Sequence, residues 1–525
     1  MASALTVALA LLPLFVVFVG IIVFRISGAK MALIGWGLAA LEVGTYFQTS
    51  WDIVFGATIY GILKAFGITI AVIFTMLMIF TMKEVGALSI ISDAIKRVAK
   101  TKEQQALFIG IGFGTFVTSL GVVTPALFPP LLMAMGFGPA ASVAIAVIGY
   151  NASTSFALLS IPVTLPAHLY GFDAFVFAFK ITIFLPVIST LISLAMLWVI
   201  GGKESLKKGW VPAVLSGLVI GFTALALVLI RAPIMIVGVI AGLVTMGVLY
   251  GYQKFENREL EKEKPIVWKP LLKAMSPWLI LIALASVVSI PPVTRFFESL
   301  DGSGINLGWV TAYQTVDFDV FSSVYFWILV AFLLSLPILK PSREQMNRVT
   351  KVWIRRIWPP FIAYSLFFSL SFLMAFSAMV VVNGPTGPHL APGKYYNDLN
   401  MNVAIGAALA SIGAAYVFLS PLLGIFGAVV GGSETGSNVM FYKIQEQAST
   451  DIGLNNAQFM TIYGAHANAG GIASAITPSK INNAVATIGG GGSLEAAIMK
   501  KNTVIVLGIT FVLSIMTWIF VQMGI

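Results

Sequence analysis

PLLGIFGAVVGGSETGSNVMFYKIQEQASTDIGLNNAQFMTIYGAHANAGGIASAITP, residues Pro421–Pro478, is the stretch that decides how this chain is read. Apolar segments approach it from both sides. Its middle, Gly431–Asn438, is Gly-Gly-Ser-Glu-Thr-Gly-Ser-Asn, short of bulk and rich in hydrogen-bonding groups. In an apolar chain, irregular polar backbone is tolerated only where it is buried in protein or lines a wet cavity. A looser copy runs from Phe113 to Pro162, FGTFVTSLGVVTPALFPPLLMAMGFGPAASVAIAVIGYNASTSFALLSIP. Phe113-Gly114 aligns with Phe426-Gly427, Thr124 with Ser437, Gly138 with Leu454 and Pro162 with Pro478. Two interrupted apolar segments, one in each half, point to the substrate site of a secondary transporter.

Composition sets the class. The chain has 525 residues, of which 58% are hydrophobic and 10% charged, and its mean hydropathy is +0.95. No soluble domain of this size hides that much apolar surface, so an all-α polytopic membrane protein is expected. The net charge of +10 is read as the basic bias of cytoplasmic loops, not as a nucleic-acid surface. The absence of cysteine excludes disulfides, iron–sulfur clusters and thiol catalysis. His168, His389 and His466 lie too far apart in sequence for a metal-ligand cluster, so no metal or cofactor is expected. The apolar N-terminus lacks a basic leader and reads as a first span.

Taken in order, Ala4–Phe24 is long enough to cross, and Arg25 and Lys30 after it place the N-terminus outside the cell. The amphipathic, basic Ile90–Gln105 suits a cytoplasmic interfacial helix. A first re-entrant hairpin is expected over about 107–135, broken at Pro129-Pro130 because proline lacks the N–H a helix needs. Ala140–Leu165 then spans outward. Residues 253–273 form a charged cytoplasmic loop between an N-terminal half, 1–252, and a C-terminal half, 274–525. Residues 402–418 read as a supporting helix, and a second re-entrant hairpin covers 421–448. Asn456–Pro478 spans inward, and Thr503–Met523 exits, leaving the C-terminus outside. The total is about twelve transmembrane helices plus two re-entrant helical hairpins. Charge bias gives the spans before the two hairpins opposite directions, which is the arrangement of an inverted repeat.

The same residues resemble a family. GTFVTSLGVVTPALFPPLLMAMGFGP resembles the glycine-rich first hairpin of the lactate permease family, the lactate and glycolate permeases. Ser420–Leu454 resembles that family's second hairpin, where Ser, an acid or amide, Thr and a Ser-Asn ending occur together; here the run is Ser433-Glu434-Thr435-Gly436-Ser437-Asn438. The likeness covers about Lys83–Pro166 and Ser420–Lys501. Val122-Val123 departs from the family's Phe-Gly before Thr-Pro. The resemblance implies proton-coupled uptake of small 2-hydroxymonocarboxylates (L-lactate, D-lactate or glycolate) and membership of an ion-transporter superfamily with paired hairpins and elevator-like motion. A homodimer follows only by analogy with that superfamily.

Such a substrate carries one carboxylate and one hydroxyl. Helices interrupted mid-membrane offer free N–H groups and a positive dipole end to a carboxylate. Thr118, Ser119, Gly121 and Thr124 in the first hairpin, and Ser433, Thr435, Gly436, Ser437 and Asn438 in the second, supply amides and hydroxyls. Asn151, Ser153, Thr154 and Ser155, with His466, Asn468, Gly470 and Gly471, close the pocket from the following spans. Helix packing through small residues is the competing reading of these runs. Ionisable groups inside a membrane are costly and are read as functional. Glu434 leads the proton-coupling candidates, followed by His466, whose side-chain type titrates near neutral pH, and Glu42. Lys180, Lys443 and Lys480 are candidates to attract the anion, or snorkel to an interface. Proton and sodium coupling are not separated, since the same oxygens ligate sodium. A sodium-coupled carrier of a dicarboxylate or other oxyanion, and an anion channel, are the alternatives. No catalytic motif appears, so the protein is not expected to be an enzyme.

Overall fold

The computed structural model describes all residues except 1–2, 25, 98, 100, 122–123, 257–266, 303, 386 and 489. Arg25, Val122-Val123 and residues 257–266 of the charged segment 253–273 therefore lie outside the described residues. Among those described, seven helices or helix runs are long and apolar enough to cross a membrane. An eighth arises if Trp268–Ala274 and Ser276–Val288, bent by 65°, count as one. Shorter apolar helices, Val324–Leu339, Met401–Ala410 and Ala415–Val430, stand beside them. The chain is a multi-pass membrane protein. Leu185–Leu229 has 45 helical residues, about 68 Å of rise, more than twice a hydrocarbon core. It turns back at Gly201 and Gly202, whose backbone angles are not helical.

Among the described residues the regular structure is helical apart from two small antiparallel strand pairs, Ile305–Asn306 with Thr315–Val316, and Met379–Gly384 with Gly387–Pro392. The second pair takes up Val380-Val381-Val382, directly after the helix Trp358–Phe376. β-branched residues favour the pleated strand, and Gly387, at φ +104, makes the turn that returns it.

The first hairpin departs from expectation in where it breaks. A π-helical stretch, Leu107–Phe113, continues into Gly114–Ser119, and a second helix runs Thr124–Ala134 through both Pro129 and Pro130. The interruption falls before Thr124, at Leu120–Gly121, where Gly121 adopts φ +91. The prolines remove two helical donors but do not end the helix, because buried Phe128 and Leu132 hold it against its neighbours. Phe113 and Phe128, stacked at 5.8 Å, join the two legs. The second hairpin is longer than expected. Ala415–Val430 and Glu434–Asp451 pack together around the break at Gly431–Ser433, where Gly432 takes φ +67. Met401–Ala410 is a separate short helix ahead of it.

The span after each hairpin is broken too, where a continuous helix was expected. Pro139–Ile148 gives way to a 3-10 stretch, Gly149–Phe156, before Ile161–Tyr170 resumes. Asn456–Ile472 gives way to a 3-10 turn, Ala473–Ile476, before Pro478–Ala486. In the first of these, Thr154, Leu158, Leu159 and Ser160 all have positive φ. Each such non-glycine residue costs of order 1–3 kcal/mol, a strain that persists where surrounding structure over-determines it.

Close helix contacts hold the frame. Gly28–Gly44 and Trp51–Lys64 pack on Trp358–Phe376, where Ser369 Oγ donates to the Thr58 carbonyl at 2.7 Å and Trp36 Nε1 to Thr58 Oγ1 at 3.1 Å. Around the first hairpin, Gly149 lies against Gly110 so closely that an added Cβ would stand 2.5 Å from the Gly110 carbonyl oxygen. Gly149→Ala is therefore expected to destabilise by about 1–3 kcal/mol, read as a lowered melting temperature in detergent. Gly67→Ala, at a position with nothing within 4 Å of the added atom, is expected to leave it unchanged.

Candidate functional site

The break Gly431–Ser433 sets the site, because it starts a new helix deep in the protein. Ser433 caps that helix: its Oγ accepts from the Gly436 N–H at 3.0 Å. Glu434, the first helical residue, is only 7% exposed, although a carboxylate is costly to bury. The absence of side chains at Gly470 and Gly471 makes room for it. A Cβ on Gly470 would lie 3.3 Å from Glu434 Cγ, and one on Gly471 would lie 3.0 Å from Glu434 Oε2 and 2.9 Å from Thr154 Cβ. Ser155, Asn438 and Lys480 lie near enough to influence the carboxyl group, although the hydrogen bonds of Asn438 Nδ2 and Lys480 Nζ go elsewhere and Ser155 Oγ has none. The helix N-terminus, its carboxylate and both broken spans thus meet at one place.

The remaining hydrogen bonds fall into two kinds. Some lock the frame. Thr154 Oγ1 donates to Asn468 Oδ1 at 3.0 Å, and Asn468 Nδ2 donates to the carbonyls of Gly464 and Ile181. Asn438 Nδ2 donates to the Pro162 carbonyl at 3.0 Å, and Asn151 Nδ2 to Val147 at 2.8 Å. Other polar atoms are buried without any partner: Thr118 Oγ1, Ser119 Oγ, Ser153 Oγ, Ser155 Oγ, Glu434 Oε1 and Asn438 Oδ1. Buried polar groups are ordinarily hydrogen-bonded, and each exception needs a cause. Orphans on both hairpins and on the first broken span fit a polar ligand or water.

His466 sits apart from these orphans. Its Nε2 is 3.0 Å from Ser437 Oγ, its Nδ1 meets Gln445 Nε2, and its ring packs against Tyr463 and Phe441. Both nitrogens are committed and the residue is fully buried. Ser437 Oγ also donates to the Gly424 carbonyl at 3.2 Å, so Ser437 joins the two legs of the second hairpin while His466 binds the second leg at Ser437 and Gln445. Gln445, its second partner, was not among the sequence candidates; it lies 11 positions beyond Glu434, outside the polar run that drew attention.

Glu42 lies on Gly28–Gly44, which packs on Ala4–Ile22 and Trp358–Phe376; both carboxyl oxygens are buried without a hydrogen-bond partner. The three lysines separate clearly. Lys180 donates to Thr461 Oγ1 at 2.9 Å, away from the carboxylate. Lys443 pairs with Glu446 at 2.6 Å on the exposed part of its helix. Lys480 alone of the three acts on Glu434. Thr435 and Gly436 are buried in the first turn beside Glu434, and Gly121 packs near Thr75. Thr124 begins the second leg of the first hairpin. Tyr364, also unnoticed in the sequence, reaches from Trp358–Phe376 toward Ser433 and Lys480.

Among the described residues no group of three or more His, Cys, Asp or Glu could hold a metal.

The sequence pattern of the family described as L-lactate permease matches residues 6–524. The L-lactate permease of Halalkalibacterium halodurans is 24% identical over 98% of this chain and 97% of its own. The L-lactate permease of Escherichia coli K12 is 25% identical, and the glycolate permease of the same strain 22%; each alignment covers 92% of this chain and 90% of the relative. A solved structure of Neisseria gonorrhoeae MtrF, described with a class of antimetabolite efflux pumps, aligns over 92% of this chain and 84% of that one. Its identity is 13% and its TM-score 0.38, too low to carry an argument. The match along nearly the whole length settles membership: this chain belongs to the L-lactate permease family and is a transporter, not an enzyme.

Proposed function

We propose that the protein is a secondary active symporter that carries a small 2-hydroxymonocarboxylate, L-lactate with D-lactate or glycolate as related substrates, together with a proton across the cell membrane. The observation that carries this reading is Glu434: a buried carboxyl group on the first turn of a helix that starts inside the protein, against Gly470, Gly471 and Thr154, with one oxygen that has no partner. A helix N-terminus favours an anion. A second carboxylate arriving beside an ionised Glu434 would be repelled, so anion binding and protonation of Glu434 favour each other. The orphan hydroxyls of Ser153, Ser155, Thr118 and Ser119 and the carbonyl of Asn438 suit the substrate's hydroxyl and carboxylate oxygens. Ser433, Thr435 and Gly436 supply helix-start amides. We assign no substrate contact to His466, whose nitrogens are both engaged, and keep Glu42 as a second buried acid that can carry a proton.

We read the fold as an inverted repeat of about twelve spans, the seven or eight long helices being joined by shorter ones, with two re-entrant hairpins. In its favour, each half holds a hairpin broken at a positive-φ glycine, followed by a helix broken by a 3-10 turn. Both termini lie outside the cell in this reading. The hairpins and broken spans move as one body against a frame that includes Gly28–Gly44, Trp51–Lys64 and Trp358–Phe376. Where the two bodies meet, His168 Nε2, on Ile161–Tyr170, pairs with Asp319 Oδ2 at 3.2 Å, and Lys64 pairs with Asp317 at 3.7 Å. These residues line a cavity of about 60 Å³. Burial pushes the Asp319 carboxyl up, and His168 opposes that shift.

Labelled L-lactate uptake into proteoliposomes tests the coupling. An inward proton gradient is expected to drive accumulation, and an imposed sodium gradient is not. Glu434→Gln is expected to abolish the drive while counterflow exchange continues, which also separates a carrier from a channel. Accumulation driven only by sodium would select the sodium-coupled alternative, for which the same oxygens are ligands. The motion has its own test in a chain without native cysteine. His168→Cys with Asp319→Cys, bridged by a short thiol cross-linker, is expected to stop uptake until the bridge is reduced. Undiminished uptake in the bridged protein would contradict relative movement at this contact.

A further inference from the structure

Lys480 occupies a position that the transport reading has not yet used. Its Nζ donates to Ser474 Oγ at 2.6 Å, within the 3-10 turn Ala473–Ile476. The same ammonium stands 5.9 Å from the centroid of the Tyr150 ring, within the 3-10 stretch Gly149–Phe156. It therefore joins the breaks of both spans, at the place where Glu434 enters. An ammonium has three donors, and Ser474 takes one.

The ionisable groups facing Glu434 are few. From Pro478–Ala486 comes Lys480, and from Asn456–Ile472 comes Tyr463. Tyr364, on Trp358–Phe376, faces Lys480 rather than the carboxyl group. His466 is sealed between Ser437 and Gln445. Among the described residues, Lys480 is thus the cation that acts on this carboxylate.

We propose that Lys480 is the counter-ion of the substrate carboxylate, and that with Glu434 it limits the site to one negative charge carried with one proton. This role rests on the symport reading above and on charge balance. With Glu434 ionised and Lys480 carrying its positive charge, the empty site would be neutral. A monovalent anion entering alone leaves one negative charge unbalanced in a low-dielectric interior. Moving a proton from water onto a Glu434 carboxyl oxygen restores neutrality, with the anion now paired to Lys480. A proton without an anion leaves a net positive charge, and a dianion leaves a net negative one even with the proton. The same pair therefore favours one-to-one coupling and disfavours dicarboxylates. Truncating one member of a buried charge pair commonly weakens binding by tenfold or more.

The test uses full-length protein in proteoliposomes with a pH gradient. Wild type is expected to accumulate L-lactate and to be poorly inhibited by succinate. Lys480→Gln is expected to raise the KM for L-lactate by about tenfold or more, while Lys480→Arg stays near wild type. A Lys480→Gln protein with wild-type KM and pH dependence would overturn the proposal. Lys480→Cys gives a second route within one folded protein. Its modification with aminoethyl methanethiosulfonate is expected to restore low KM, and with the neutral methyl reagent not to. Equal effects of the two reagents would also overturn it. The two readings fail differently: absence of pH-driven uptake in wild type removes the symport reading, whereas its presence with an indifferent Lys480 removes only this one.

Discussion

A carboxyl group at the start of a helix, deep inside a membrane protein, needs something to balance it, and the arrangement around Glu434 meets that need from several elements at once. The break Gly431–Ser433 supplies the helix start, Ser433 caps it, and Gly470 and Gly471 leave the room. Lys480, held by Ser474, brings the opposite charge. None of these would have reason to lie where it does if Glu434 were apolar. A permanently paired, fully satisfied carboxylate would be inert. The free Oε1 and the neighbouring orphan oxygens leave the site incomplete in a way that a small polar anion would complete.

That incompleteness is supported by strain elsewhere. Thr154, Leu158, Leu159 and Ser160 hold positive φ without being glycine, and all lie in the broken span whose Thr154 touches the position of Gly471. Their cost is met by packing: Thr154 is tied to Asn468, Ser160 Oγ donates to Ile234 at 2.7 Å, and Asn438 anchors Pro162. Ser437 serves the same end, tying the two legs of the second hairpin through Gly424 and meeting His466 of the following span. Rigid surroundings keep a small polar gap from collapsing.

Much of this was legible in the residues. Gly-Gly-Ser between apolar runs marks a helix break, and Glu434 after it marks a buried charge; both follow from what a membrane allows. The helix that leads into that break begins at Ala415, six residues before the expected 421, because nothing in an Ala-rich apolar run signals where a supporting helix ends. Over 107–135 the helix breaks at Leu120–Gly121 and not at the expected Pro129-Pro130. Pro129-Pro130 attracted the break, while Gly121 carries the positive φ. The interruption of both following spans was not legible. Leu158-Leu159-Ser160 has no glycine or proline to announce a left-handed turn, and only tertiary packing imposes it. His466 was offered as a site group on its titration range alone, and its partners could not be read from spacing. Lys480 was named as an anion attractor without its neighbours, since Ser474 and Tyr150 come from different broken spans.

If Glu434 is protonated as the anion enters, binding takes a proton from solution. Purified protein in weakly buffered detergent, titrated with L-lactate while pH is followed, is expected to take up close to one proton per lactate bound, and Glu434→Gln none. Lactate binding to the wild type without proton uptake at any pH would contradict the central claim that the anion and the proton on Glu434 enter together.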